Sequence, residues 1–68
     1  MDRFGLLCRN VYEKKKTTQR ELAAAMGLSL GTCNHLIREA LQDELICQDA
    51  ESGEYSLLKK GVELLQNY

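Results

Sequence analysis

The sequence predicts a mainly α domain with a small β-hairpin, in the order helix, helix, helix, hairpin, helix. Three observations carry this. Apolar residues recur at three- and four-residue steps in segments up to Glu44, the signature of helices with one buried face. Beyond Glu44 that period gives way to two short runs separated by a turn-rich stretch containing Gly53. Capping residues at Thr18, Gly27 and Ser29 mark where the middle two helices begin and end. With 68 residues the chain is read as one domain, 1–68. A chain of that size buries only about 60–65% of its unfolded surface.

The first helix is expected from Phe4, Leu7, Cys8, Val11 and Tyr12, which form one stripe, with Asp2 favourable near its positive end. The triplet Lys14-Lys15-Lys16 suits a helix C-terminus followed by a solvated loop. Thr18-Gln19-Arg20-Glu21 fits the capping box S/T-x-x-E, opening a second helix with Leu22, Ala23 and Met26 inward. Gly27 ends it, since glycine takes the left-handed conformation without penalty. Ser29 caps a third helix whose inner face is Cys33, Leu36, Ile37, Ala40 and Leu41. Its outer face carries Gly31, Thr32, Asn34, His35 and Arg38. Leu45–Gln48 and Glu54–Leu57 are the expected hairpin strands, and Lys59 to about Tyr68 the closing helix.

Several functions are disfavoured. The longest apolar run is Leu22 to Met26, far short of the ~18 residues of a membrane span, and no signal-peptide segment opens the chain. Cys8, Cys33 and Cys47 are odd in number and widely spaced, which argues against a disulfide framework and for a reducing, cytoplasmic setting. All three read as core positions, and with His35 as the lone histidine a zinc site is not expected. Neither a nucleophile–base pair, a phosphate loop nor paired carboxylates in a plausible cleft is present. The chain is therefore not expected to be an enzyme or to need a cofactor or metal.

The segment Gln19 to Arg38 meets the physical requirements of two helices joined by a glycine-containing turn. Ala23 is small where the second helix of the pair crosses the first. Gly27 permits the reversal, and Leu22, Met26, Leu28, Cys33 and Leu36 are apolar where the helices must adhere. At this spacing T-Q-R-E-L-A-x-x-x-G-L-S-L-G-T-x-N, from Thr18 to Asn34, resembles the winged helix-turn-helix modules of bacterial transcription regulators. Leu45-Ile46, Tyr55-Ser56-Leu57 and Lys60-Gly61-Val62-Glu63-Leu64-Leu65 resemble the wing and L-x-x-K-G-x-x-L-L closing helix of MarR-like members. The implied fold is a three-helix core plus wing and C-terminal helix.

The resemblance implies binding to double-stranded DNA, with the third helix (about 30–43) in the major groove. By position, Gly31, Thr32, Asn34, His35 and Arg38 would face the bases, while Lys16, Thr18 and Gln19 would meet phosphate. Asn34 suits adenine and Arg38 suits guanine through paired hydrogen bonds. Each residue also has a plainer use: Thr18 caps a helix with or without DNA, and Asn34 and His35 could simply be solvated.

Charge qualifies this picture. The chain is at −1 overall. Residues 1–20 hold six bases and two acids, residues 21–54 one base and seven acids, and residues 55–68 two bases and one acid. The hairpin tip offers Asp49, Glu51 and Glu54, where DNA-binding wings commonly carry a base. So few cations point to a second copy, pairing through Phe4, Val62, Leu65 and Tyr68, or to an attached domain beyond Tyr68. Similar winged modules stand at the N-terminus of some sugar- or choline-phosphate nucleotidyltransferases. A protein-interaction or regulatory module of such a larger enzyme, with little DNA binding, is the alternative expectation.

Overall fold

The computed structural model describes residues 2–67. Its elements are α1 (Arg3–Lys14), α2 (Gln19–Met26), α3 (Leu30–Gln42), β1 (Ile46–Gln48), β2 (Tyr55–Leu57) and α4 (Lys59–Gln66). The expected mainly α architecture with one hairpin is observed. The strands are each one residue shorter than expected, and α4 stops at Gln66 with Asn67 as its cap. Tyr68, assigned to the closing helix and the pairing surface, lies outside the described residues.

The caps explain where the helices begin. Asp2 accepts a 2.8 Å bond from the Gly5 amide, so it is a true N-cap of α1. The Thr18–Glu21 box is complete, with the Glu21 amide donating to Thr18 Oγ1 at 3.2 Å and the Thr18 amide to Glu21 Oε1 at 3.0 Å. Ser29 Oγ accepts from the Thr32 amide at 3.2 Å. These side chains satisfy backbone donors that a helix start leaves without partners.

Two helices end in the same way. After α2, Gly27 is left-handed (φ 66°) and the Leu28 amide reaches back to Ala23 O at 2.9 Å. After α3, Glu44 takes the corresponding conformation (φ 60°) and the Leu45 amide bonds Ala40 O at 2.9 Å. Both are Schellman turns, and each brings an apolar residue, Leu28 or Leu45, back onto the core.

That core joins Leu7, Cys8 and Val11 of α1, Leu22 and Ala23 of α2, and Cys33, Leu36, Ile37 and Ala40 of α3, closed by Leu45, Ile46 and Tyr55. Two expectations need correction. Tyr12 is 60% exposed rather than inward, because the stripe has rotated past the core by the last turn of α1. There it lines an open groove of about 540 Å³ with Val11, Leu57 and Val62. Cys47 is half-buried rather than core; it points away from Ile46 and Tyr55, with its Sγ 3.3 Å from Ser56 Oγ on the opposite strand.

The Lys14–Lys16 segment is not merely a solvated loop. The Lys16 amide bonds Lys14 O at 2.7 Å across Lys15, whose φ of 65° and ψ of −56° define a rare, strained γ-turn. This turn delivers Thr17 to Tyr55, and the two residues exchange backbone bonds in an antiparallel bridge at 3.1 and 2.6 Å. β2 is thus flanked on both sides, by Thr17 and by β1 in the register Ile46–Leu57, Cys47–Ser56, Gln48–Tyr55. Thr17 is completely buried there. The wing is consequently tied to the start of α2.

Gly61 settles how α4 returns. A Cβ at this position would collide with the Leu45 carbonyl and come within 2.6 Å of Leu57 Cδ1. The helix can lie against the hairpin base only without a side chain there, and the Leu58 amide adds a 2.9 Å bond to Leu45 O.

Candidate nucleic-acid interface

Three devices hold the first turn of α3. Ser29 caps it from within, and its hydroxyl also donates to Thr32 Oγ1 at 3.0 Å. Cys33 is fully buried, with Sγ directed at Gln19 O at 3.6 Å. The third device is the Gln19 side-chain amide. Its Nε2 donates to Leu30 O at 3.2 Å, while its Oε1 accepts from Asn34 Nδ2 at 2.9 Å. One amide from α2 therefore spans Leu30 and Asn34, a full turn of α3, and sets the helix's orientation against its partner.

The residues expected at the bases are brought onto one side of α3. Gly31, His35 and Arg38 are exposed, and Thr32 and Asn34 are half-buried. Arg38 has no hydrogen bond or ion pair among the described residues, so its guanidinium is available. Asn34 spends one amide hydrogen on Gln19 and keeps its other hydrogen and its carbonyl for the paired contact that adenine requires. His35 is engaged within its own helix, with Nε2 2.6 Å from Glu39 Oε1. That contact also occupies Glu39, the acid beside Arg38. Gly31 has open space where a Cβ would stand, so packing inside the chain does not call for a glycine there.

The expected phosphate contacts divide. Thr18 Oγ1 is committed to the capping box, donating to Glu21 Oε1 at 3.2 Å as well as accepting from its amide. The bonds that Thr18 donates to this carboxylate, from its backbone amide and then from its hydroxyl, hold the Glu21 carboxyl below its ordinary pKa. The Gln19 side chain is committed to α3, leaving its backbone amide, in the first turn of α2, as its free donor. Lys16 is exposed beside the wing. Arg20, absent from the expected set, is an exposed cation without a partner among the described residues. Its place in the turn after the cap is the signal that could have found it. Leu30 is a second omission, 48% exposed at the very start of α3.

The wing tip changes meaning in the structure. Asp49 Oδ1 accepts from the Glu51 amide at 2.8 Å and the Ser52 amide at 3.2 Å. Those bonds, with help from the Lys16 charge, lower its pKa. Gln48 Nε2 binds Gly53 O at 3.1 Å, and Gly53 is left-handed at φ 76°. Asp49 is thus a turn-building acid that stays ionised, so the tip keeps its negative charge while one carboxylate also shapes the turn.

A helix held across its neighbour by a small residue, Ala23, and a left-handed glycine, Gly27, with a hairpin beside it, is the arrangement whose family profile matches. That profile, described as winged helix-turn-helix DNA-binding, matches residues 9–46, more than half of the chain. The chain belongs to this family. No curated protein matches it. The matched residues of this winged helix-turn-helix domain take in the second half of α1, both helices of the turn and the first residue of β1. DNA is the partner that the family description supports. No helix among the described residues is long and apolar enough to cross a membrane. No group of three or more His, Cys, Asp or Glu among them is placed to hold a metal.

Proposed function

We infer that this domain is a sequence-specific, transcription-regulating DNA-binding module that inserts α3 into the major groove. The observation that carries the reading is the Gln19 clamp, which presents Asn34 half-buried and oriented, with Arg38 unpaired one turn further along the same ridge. Gly31 lets the backbone approach the base edges, and Thr32 and His35 flank the contact. Lys16 and Gln19, through its amide, face phosphate, joined by Arg20, while Thr18 spends both its donors on Glu21 and acts only by holding the start of α2. The MarR-like character of the closing helix rests on Lys60-Gly61 and Leu64-Leu65, and the single-domain extent 1–68 on one continuous core.

The scarcity of cations supports action as a dimer or tethered to another domain. Of the expected pairing residues, Phe4 and Leu65 pack against the core, and Val62 opens onto the groove beside Tyr12. In a dimer the two copies of α3 would stand about 34–36 Å apart to meet successive major grooves.

The test is binding of randomised duplexes at low salt, followed by Arg38→Ala. Loss of a well-placed arginine–guanine pair should reduce discrimination at one position by roughly 10–100-fold, with non-specific binding nearly kept. Unchanged discrimination would remove Arg38 from the contact, and absence of any salt-sensitive DNA binding would overturn the function.

A further inference from the structure

Leu30 is the one large exposed hydrophobic residue of α3 among the described residues. It is the first residue of the helix, and nothing in the fold requires leucine there: Ala would suit the position as well. Its backbone is nevertheless unusually well held. Gln19 Nε2 binds its carbonyl, and Ser29 immediately before it caps the helix. The side chain therefore projects from a fixed point, beside the open space at Gly31 and one turn before Asn34.

Resting on the DNA-binding reading above, we propose that Leu30 is a specificity-determining residue that packs on the C5-methyl group of a thymine. A thymine methyl is the apolar group that the major groove presents. An apolar side chain on a fixed backbone can cover it with little ordering cost. Leu30 and Asn34 lie on one ridge of α3 and are bridged by the same Gln19 amide, so the thymine is expected next to, or one step from, the base pair that Asn34 meets. Leu30 would then add a methyl-sensing contact to a surface otherwise built from hydrogen-bond donors and acceptors.

The test uses the full chain and the duplex that it selects from a randomised pool at low salt. Each thymine is replaced singly by deoxyuridine, which deletes the methyl and leaves the hydrogen-bonding edge intact. Wild type should lose about fourfold in affinity at one thymine, the worth of one buried methyl group. Leu30→Ala should bind the thymine and deoxyuridine duplexes alike at that position, with its helix content unchanged by circular dichroism. Binding that is indifferent to deoxyuridine at every thymine would overturn the proposal and leave the DNA reading standing. So would a Leu30→Ala variant that keeps the fourfold preference. Failure to select any duplex would overturn both.

Discussion

Gly31 and Gly61 both sit in the opening turn of a helix, and they have opposite surroundings. At Gly61 an added methyl group would strike the Leu45 carbonyl and the Leu57 side chain; at Gly31 it would meet nothing. A glycine in a helix costs about 0.5–1 kcal/mol relative to alanine. For Gly61 the fold itself offsets that cost, because α4 can then rest on the base of the hairpin. For Gly31 the described residues contain no offsetting contact, and the proposed approach of DNA to α3 would supply one from outside. Gly61 thus serves the fold, whereas Gly31 answers to no contact among the described residues, as the proposed approach of DNA to α3 would require.

Substitution at Gly61 is the strongest way to break the contrast. Gly61→Ala should destabilise the domain by about 3 kcal/mol, since the obstruction is a backbone carbonyl that cannot swing aside. Urea unfolding would measure it, and a wild-type midpoint would mean that α4 shifts freely. Gly31→Ala should do the reverse, raising stability by roughly 0.5 kcal/mol while weakening DNA affinity about tenfold. Equal affinity for a selected duplex would show that the backbone does not approach the groove at Gly31.

A third position sharpens the comparison by lacking the glycine that its geometry favours. Glu44 occupies at the end of α3 the left-handed place that Gly27 occupies at the end of α2. Glu44→Gly should therefore stabilise the domain by about 0.5–1 kcal/mol, read from the thermal midpoint. No gain would mean that the glutamate makes an offsetting contribution there.

The smallest effect concerns an exposed acid engaged in the capping box. The two bonds from Thr18 favour the ionised Glu21, so its folded pKa lies below the ordinary 4.5. Its contribution is complete above that ordinary value and is lost as pH falls through the lowered one. Glu21→Gln keeps a capping-box side chain but removes the titration. The variant's thermal midpoint should be slightly lower at neutral pH, and the difference should shrink as the wild-type carboxylate is protonated in acid. An identical acid profile would show that the box does not depend on charge.

Much of the fold was legible because its signals are local. The capping box, the glycine end of α2 and the Ser29 cap each operate within three to five residues, and all appear where the sequence places them. The outer face of α3 was legible for the same reason, since a helical period assigns sides without reference to the rest of the chain. Tyr12 shows the limit of that reading: the period predicts its side, but the core ends before the stripe does.

The remainder depended on partners distant in sequence. Thr17 looks like the end of a lysine-rich loop until Tyr55 pairs with it, and that pairing needs the γ-turn at Lys15. Gln19 looks like a phosphate contact until α3 is brought alongside and occupies both ends of its side-chain amide. Asp49 looks like an acid facing DNA until the hairpin folds and its own backbone claims the carboxylate. Helix limits and faces follow from neighbours a few bonds apart. Which polar groups remain free to meet DNA follows only from how the packed elements have already used the others, and that is a property of the assembled structure.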